Sequence, residues 1–243
     1  MLFSRSFLAA FAVATALTGA AVSSGNRANA LDDGTPIPAD WSATGTFTRL
    51  SAQGPDNVRF TTGDRWLVRA EGDRRTLDRL RFVLENGRLV VGRRSGDDAA
   101  LPAATIYVTA PSLSQATLAG SGVLDVDRLS GEAIAATVAG SGDLNVASLS
   151  AKSLKATVAG SGELSVAGHT STAQLTVAGS GSFAGGSFST DRADATIAGS
   201  GDVAFHSDGE VAARISGSGS VDVTGRATCS QSRSGSGVLR CGV

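Results

Sequence analysis

The chain has 243 residues, with 21 Lys and Arg against 22 Asp and Glu. This balance excludes the basic excess that binding to nucleic acid or to an anionic membrane surface would need. The length suits one domain, and two cysteines without further ligands argue against a structural metal centre, so no cofactor is expected.

Residues 1–30 have the pattern of an export signal. Arg5 supplies the positive charge, residues 7–22 are apolar, and Ala28-Asn29-Ala30 fits the small-x-small cleavage rule. The apolar run is weak for a membrane span, although an uncleaved anchor helix is the alternative. We predict an exported mature chain that begins near Leu31, has no transmembrane segment, and resides in the periplasm, at the cell surface or outside the cell.

Two different segments precede the repeats. Residues 31–40 include Pro36 and Pro38 and are predicted to be a flexible leader. From residue 41 the charges are mixed, which indicates solvated faces with weak surface pairs. We expect residues 41–110 to form irregular coils that cover the end of the repeat stack, since an open end would expose strand edges. The strand-like runs are 46–51, 57–61, 66–71, 80–84, 88–91 and 104–110, with a helical turn at 73–80, a tight hairpin turn at 85–88 and a polar loop at 92–102.

The unit Gly-Ser-Gly recurs seven times in residues 111–243. The steps between its first glycines are 20, 20, 19, 20, 18 and 18 residues, and a period near 20 is typical of a solenoid. Apolar and polar residues alternate around each unit, which is strand patterning. We therefore predict an all-β fold, a single-stranded parallel β-helix with coils of about 20 residues, in one domain from residue 41 to residue 243.

Three apolar columns are predicted to form the core of the stack. The first precedes the glycines and the other two follow them at alternate positions, with Gly185 interrupting the third. The columns are Leu118, Val138, Val158, Val177, Ile197 and Ile215; Leu124, Leu144, Leu164, Phe183, Val203, Val221 and Leu239; and Val126, Val146, Val166, Phe205 and Val223.

The last coil departs from the others. Arg233 stands where earlier coils place Val or Ile, and Cys229 and Cys241 are the only cysteines. Because the export signal implies an oxidising compartment, we predict a disulfide between them that pins the C-terminal coil.

The order of several motifs resembles a bacterial family, the autotransporter adhesin, head GIN domain family, a domain of unknown function. The resemblance covers nearly all of the mature chain and implies a right-handed β-helix of the cell envelope with no established activity. The motifs are Gly-x-Phe-x-x-Leu at 45–50, Asn57-Val58, Asn86-Gly87-Arg88-Leu89-Val90-Val91, Ile106-Tyr107-Val108-Thr109-Ala110-Pro111-Ser112-Leu113, and the repeated Gly-Ser-Gly.

The chain contains few candidates for catalysis. His169 and His206 are interpreted as solvated side chains, and seven Gly-Ser-Gly copies indicate geometry, not nucleophiles. Asp143 and Glu163 would be neighbours on adjacent rungs, about 4.8 Å apart, where two carboxylates could share a cation or serve a carbohydrate-active enzyme. That enzyme is the alternative; the favoured hypothesis is a protein with no catalytic residues.

A second regularity lies outside the core. A column of threonines and, two residues on, a column of alanines form an uncharged stripe of hydroxyl and methyl groups. Simple β-propensity explains the stripe, but it would also suit a docking face. The favoured function is adhesion, binding or scaffolding at the cell envelope, with an unknown envelope component, a glycan or a second copy as partner. The threonines are Thr117, Thr137, Thr157, Thr176 and Thr196.

Overall fold

A computed structural model of the chain describes residues 30–96 and 101–242. The predicted export signal lies outside these residues except for Ala30. The fold is a right-handed parallel β-helix with about six turns; the repeat predicted the parallel stack, and the family resemblance implied its hand.

Eighteen strands and one short helix make up the described structure, and all strands join one sheet that winds around the core. The strands are β1 (Thr35–Pro36), β2 (Ser42–Ala43), β3 (Arg49–Gly54), β4 (Asn57–Thr62), β5 (Leu67–Glu71), β6 (Leu80–Glu85), β7 (Arg88–Arg93), β8 (Thr105–Ala110), β9 (Gln115–Gly120), β10 (Val123–Val126), β11 (Leu129–Gly140), β12 (Asp143–Gly160), β13 (Glu163–Gly179), β14 (Ser182–Gly199), β15 (Asp202–Gly217), β16 (Ser220–Thr224), β17 (Thr228–Ser234) and β18 (Val238–Cys241). The helix, α1, is Arg74–Leu77.

Each regular coil has three faces, which β12 illustrates. Face 2 is residues 143–146, face 3 is residues 149–151, and face 1 is residues 153–160. Each face pairs in parallel with the same face of the coils before and after it. The long strands are therefore bent around corners, and equivalent side chains stack in columns along the axis.

The Gly-Ser-Gly unit forms the corner between face 1 and face 2. Between the second and third copies of the unit, the backbone N–H groups of Ser161 and Gly162 both donate to the carbonyl oxygen of Gly140, each at 3.0 Å. Gly160 has a φ of 122°, and a Cβ there would collide with the same carbonyl. Only glycine tolerates both the positive φ and this close contact, so the unit recurs because each corner requires this backbone conformation.

The three predicted apolar columns form the core. Val138, Val158 and Val177 are at most 1% exposed, and the face-2 columns are at most 3% exposed up to the last coil. The core also contains columns that the repeat pattern did not predict. They lie on face 3 and at the beginning of face 1, and include Leu129, Leu149, Phe188, Leu154, Ala156, Leu175 and Ala195.

Gly185 interrupts the third column for a steric reason. A Cβ at this position would lie 2.7 Å from the ring of Phe183 and 3.2 Å from the Cβ of Phe205 on the next coil. Phe183 in turn packs edge-on against Phe188, with ring centroids 5.7 Å apart. Because Gly185 has no side chain, the larger aromatic rings fit around it and the core stays densely packed.

The N-terminal cap first continues the parallel strand pairing of the stack and then changes to antiparallel pairing. The β3–β4 coil pairs in parallel with β9 and β10 on one side and with β7 and β8 on the other. Next, β6 and β5 pair antiparallel to β7 and β8, and the two-residue strands β1 and β2 lie outermost. The hairpin turn predicted at 85–88 joins β6 to β7, with positive φ at Asn86 and Gly87.

Residues 31–40 are not the flexible leader that their prolines suggested. Leu31 and Ile37 are 3% and 4% exposed, and Ile37 donates its backbone N–H to the carbonyl oxygen of Leu80 at 3.2 Å. Thr35 and Pro36 pair with β6. The segment is held because its two buried side chains complete the cap, and Pro36 suits an edge strand that needs no further donor.

The C-terminal coil ends the stack with polar residues. Cys229, Gln231 and Arg233 occupy the inward positions that Val211, Ala213 and Ile215 hold one coil earlier. Cys229 and Cys241 form a disulfide, with Cα atoms 6.4 Å apart. It joins the start of β17 to the end of β18, so it closes the last coil into a ring across the open end of the core.

We expect removal of this disulfide to destabilise the C-terminal coil. The Cys229→Ser/Cys241→Ser variant should lose about 3 kcal/mol of stability, because the bond closes a loop with a sequence separation of 12 residues. The measurement is chemical denaturation of both proteins with and without a reductant. A reductant that left the wild-type curve unchanged while the variant was destabilised would contradict this account.

Candidate functional site

The threonine column lies in register on face 1. Thr117, Thr137, Thr157, Thr176 and Thr196 pair in succession through β9 and β11 to β14, so each lies one rung, about 4.8 Å, from the next. All five are half-buried and lie between inward-facing residues. We name the threonines with their flanking alanines 119, 139, 159, 178 and 198 the Thr/Ala stripe.

The stripe is bounded at both ends by the fold. Towards the C-terminus the next member is Arg214, whose guanidinium lies 3.4 Å from Asp194 in a neighbouring column. Towards the cap the next member is Ser51, which is buried. The stripe is therefore an uncharged surface about five rungs long.

A groove of about 670 Å³ runs along the margin of face 2 across five coils, from β4 to β14. It forms where the corner between faces 2 and 3 changes length, with residues 147–148 in β12 opposed by Ala167 alone in β13. The buried side chains of Val126, Val146 and Val166 form its floor. This groove was not predicted from the sequence, although the irregular steps of 20, 19 and 20 residues between repeats indicate the change in corner length.

At the cap end of the groove, an arginine lies between two aromatic rings. The Arg69 guanidinium carbon is 5.1 Å from the Trp41 ring and 4.1 Å from the Tyr107 ring. Arg69 also pairs with Glu71, to which Tyr107 donates a hydrogen bond at 3.1 Å. Hydrogen bonds from Arg69 and then Tyr107 lower the pKa of Glu71. Trp41, 46% exposed, is the outermost member of this cluster.

Asp143 and Glu163 are adjacent in register on face 2, as the repeat predicted. Both are exposed, and Ser182 on the next coil donates to Glu163 at 3.2 Å. Neither lines the groove. The two carboxylates thus stand on an open surface, without the enclosing walls that would desolvate an acid and orient a sugar ring.

The histidines form two similar surface pairs on face 3. His169 lies 3.0 Å from the Ser189 hydroxyl and 3.8 Å from Asp191; His206 lies 3.2 Å from the Thr224 hydroxyl and 3.7 Å from Asp208. A hydrogen bond from the backbone N–H of Arg226 is the main cause of the lowered pKa of Asp208. The histidine and aspartate side chains are 44–68% exposed, so water competes for their contacts.

Within residues 30–96 and 101–242, no three His, Cys, Asp or Glu side chains come together as metal ligands would. In the same part of the chain, no helix has the length and apolar character to cross a membrane.

The coil geometry and the exposed faces define a β-solenoid whose regular surfaces are its principal feature. The family described as "Putative auto-transporter adhesin, head GIN domain" matches residues 46–227, and the chain belongs to this family. A comparison with curated proteins finds no match.

Solved structures share the fold. A "putative adhesin" from Bacteroides fragilis is 19% identical, with a TM-score of 0.76 over 83% of this chain and 95% of that one. A "putative lipid binding protein" from Parabacteroides distasonis is 20% identical, with a TM-score of 0.65 over 86% and 98%. A "putative adhesin" from Parabacteroides merdae is 14% identical, with a TM-score of 0.62 over 83% and 94%. At these identities the likeness concerns the fold alone.

Proposed function

We propose that this protein is an exported, non-enzymatic binding module of the cell envelope that contacts its ligand through the Thr/Ala stripe. The proposal rests on the in-register stripe, which is flat, uncharged and already ordered by the backbone. Docking on such a face costs little side-chain entropy because long flexible side chains need not be fixed. Export is supported by the pattern of residues 1–30 and by the disulfide, which suits an oxidising compartment.

The test is a charge placed in the middle of the stripe. Thr157→Lys should leave the melting temperature unchanged, since the half-buried side chain points outwards and a lysine stem can extend to solvent. Binding to envelope fractions, or self-association in sedimentation, should weaken about tenfold, the equivalent of about 1.4 kcal/mol. Ser150→Lys is the matched control, because Ser150 is exposed on face 3.

Two results would overturn this proposal. Unchanged binding in a folded Thr157→Lys protein would mean that the threonines of the stripe only favour strand formation and make no contact with a ligand. Hydrolysis of a glycan by the purified protein, abolished in Asp143→Ala, would establish instead the carbohydrate-active enzyme with Asp143 and Glu163 as its catalytic pair.

A further inference from the structure

A pocket of about 500 Å³ lies at the cap end of the Thr/Ala stripe. Its walls come from β3, β7 and β9, the turn of the β6–β7 hairpin, and Ala30. Thr117 and Thr137 line both the pocket and the stripe, so the two surfaces are continuous. The cavity exists because Ser51 is a small buried side chain in the column that the threonines occupy further along.

Two arginines stand side by side in this pocket. Arg49 on β3 and Arg88 on β7 are paired in register, and both line the cavity. Like charges placed directly opposite each other in a sheet are unfavourable. Among the residues that the structure describes, neither arginine forms an ion pair, and Arg49 donates only to the backbone carbonyl of Asn86. Glu85 is the one carboxylate of the lining, so the pocket has a positive excess.

The rest of the lining is mostly polar. Gln53, Gln115, Ser51 and the two threonines supply amide and hydroxyl groups. Guanidinium groups bind carboxylates through paired, charge-assisted hydrogen bonds, while hydroxyls and amides suit the hydroxyls of a sugar. Val90 is the largest apolar side chain of the pocket, which gives little surface to an acyl chain.

We propose that this pocket binds the carboxylate of an acidic, uronate-containing glycan whose chain continues along the Thr/Ala stripe. The inference rests on the proposed function, because it names the ligand class for the same face. The anion lies between the guanidiniums of Arg49 and Arg88 and relieves their repulsion, and neighbouring sugar hydroxyls meet Gln115, Thr117 and Thr137.

The probe is oligomeric polygalacturonate, with its fully methyl-esterified form as the neutral control. In calorimetric titrations of the purified protein, the acid form should bind, and esterification or 0.5 M salt should abolish or strongly weaken binding because each removes or screens the charge. Arg88→Gln and Arg49→Gln should each raise the Kd at least tenfold. Arg74→Gln removes the same charge from exposed helix α1, outside the pocket, and should change the Kd less than twofold.

Several results would overturn the inference. These are equal binding of the ester, an equal loss in Arg74→Gln, or no binding of polygalacturonate at millimolar concentration. Phosphatidylglycerol vesicles or duplex DNA that bind more tightly than polygalacturonate, and lose binding in Arg88→Gln, would assign the pocket to phosphate instead. The ester comparison uses only the wild-type protein, so it stands even if an arginine variant fails to fold. If Thr157→Lys reduces envelope binding while Arg88→Gln does not, the proposed function survives and the glycan assignment fails.

Discussion

Replacing Asp56 with alanine is expected to destabilise the protein by about 3–5 kcal/mol, the cost of removing one member of a buried ion pair. Arg93 donates two hydrogen bonds to Asp56, from Nε at 2.8 Å and from Nη2 at 2.7 Å. The backbone N–H of Ala104 donates a third at 2.8 Å. The Arg93 and Asp56 side chains are 3% and 1% exposed, so water cannot replace the hydrogen bonds that the substitution removes.

The pair has this effect because it joins two coils of the cap. Asp56 lies in the corner between β3 and β4, whereas Arg93 ends β7 and Ala104 precedes β8. The matched control is Glu132→Ala, which removes an exposed ion pair with Lys152 and should cost at most about 1 kcal/mol. Denaturation of both variants checks the difference. Equal, small losses would show that the cap does not depend on the buried pair.

A second large effect is expected from a charge in the core. Val158→Asp should cost about 5 kcal/mol or more, since an isolated carboxylate would enter a dry column between Val138 and Val177. Each coil of a solenoid is stabilised by its neighbours, so the damage should reach the adjacent coils. Limited proteolysis should then cut the chain at or near this coil, while the rest of the protein stays folded.

Ser161→Asp is the control for that substitution. It introduces the same charge three residues away, at an exposed position of the glycine corner. Its melting temperature should stay close to that of the wild type. Similar melting temperatures for Ser161→Asp and Val158→Asp would mean that the inward and outward positions of face 1 have been assigned wrongly.

The regular part of the fold could be predicted because each coil repeats one local requirement. Gly160 needs a backbone conformation and a close approach that other residues do not tolerate, and the buried Val158 alternates with outward-facing neighbours. Both signals recur at a fixed period, so the period predicts the stack and the columns predict the core. The in-register positions of Asp143 and Glu163 follow from the same period.

The cap and the pocket of Arg49 and Arg88 could not be predicted in this way. Arg93 falls in a stretch that reads as a polar loop, and its partner Asp56 lies 37 residues earlier in a different coil. Leu31 is buried beside Gly92 of β7, which comes about 60 residues later along the chain. The pocket of Arg49 and Arg88 likewise arises from non-local pairing between β3 and β7. Single-sequence patterns carry no record of such contacts.

The order of the coils at the N-terminal end gives the molecule two ends that should resist force differently. The β3–β4 coil is hydrogen-bonded on both sides, to β7–β8 and to β9–β10, although it precedes all four strands in the chain. Once the two-residue strands β1 and β2 have detached from β6 and β5, tension applied through the N-terminus must tear this coil from two neighbours at once. Tension applied through residue 242 meets the β17–β18 coil, which within the described residues pairs only with β15 and β16, and there the disulfide between Cys229 and Cys241 limits how much chain each rupture can release.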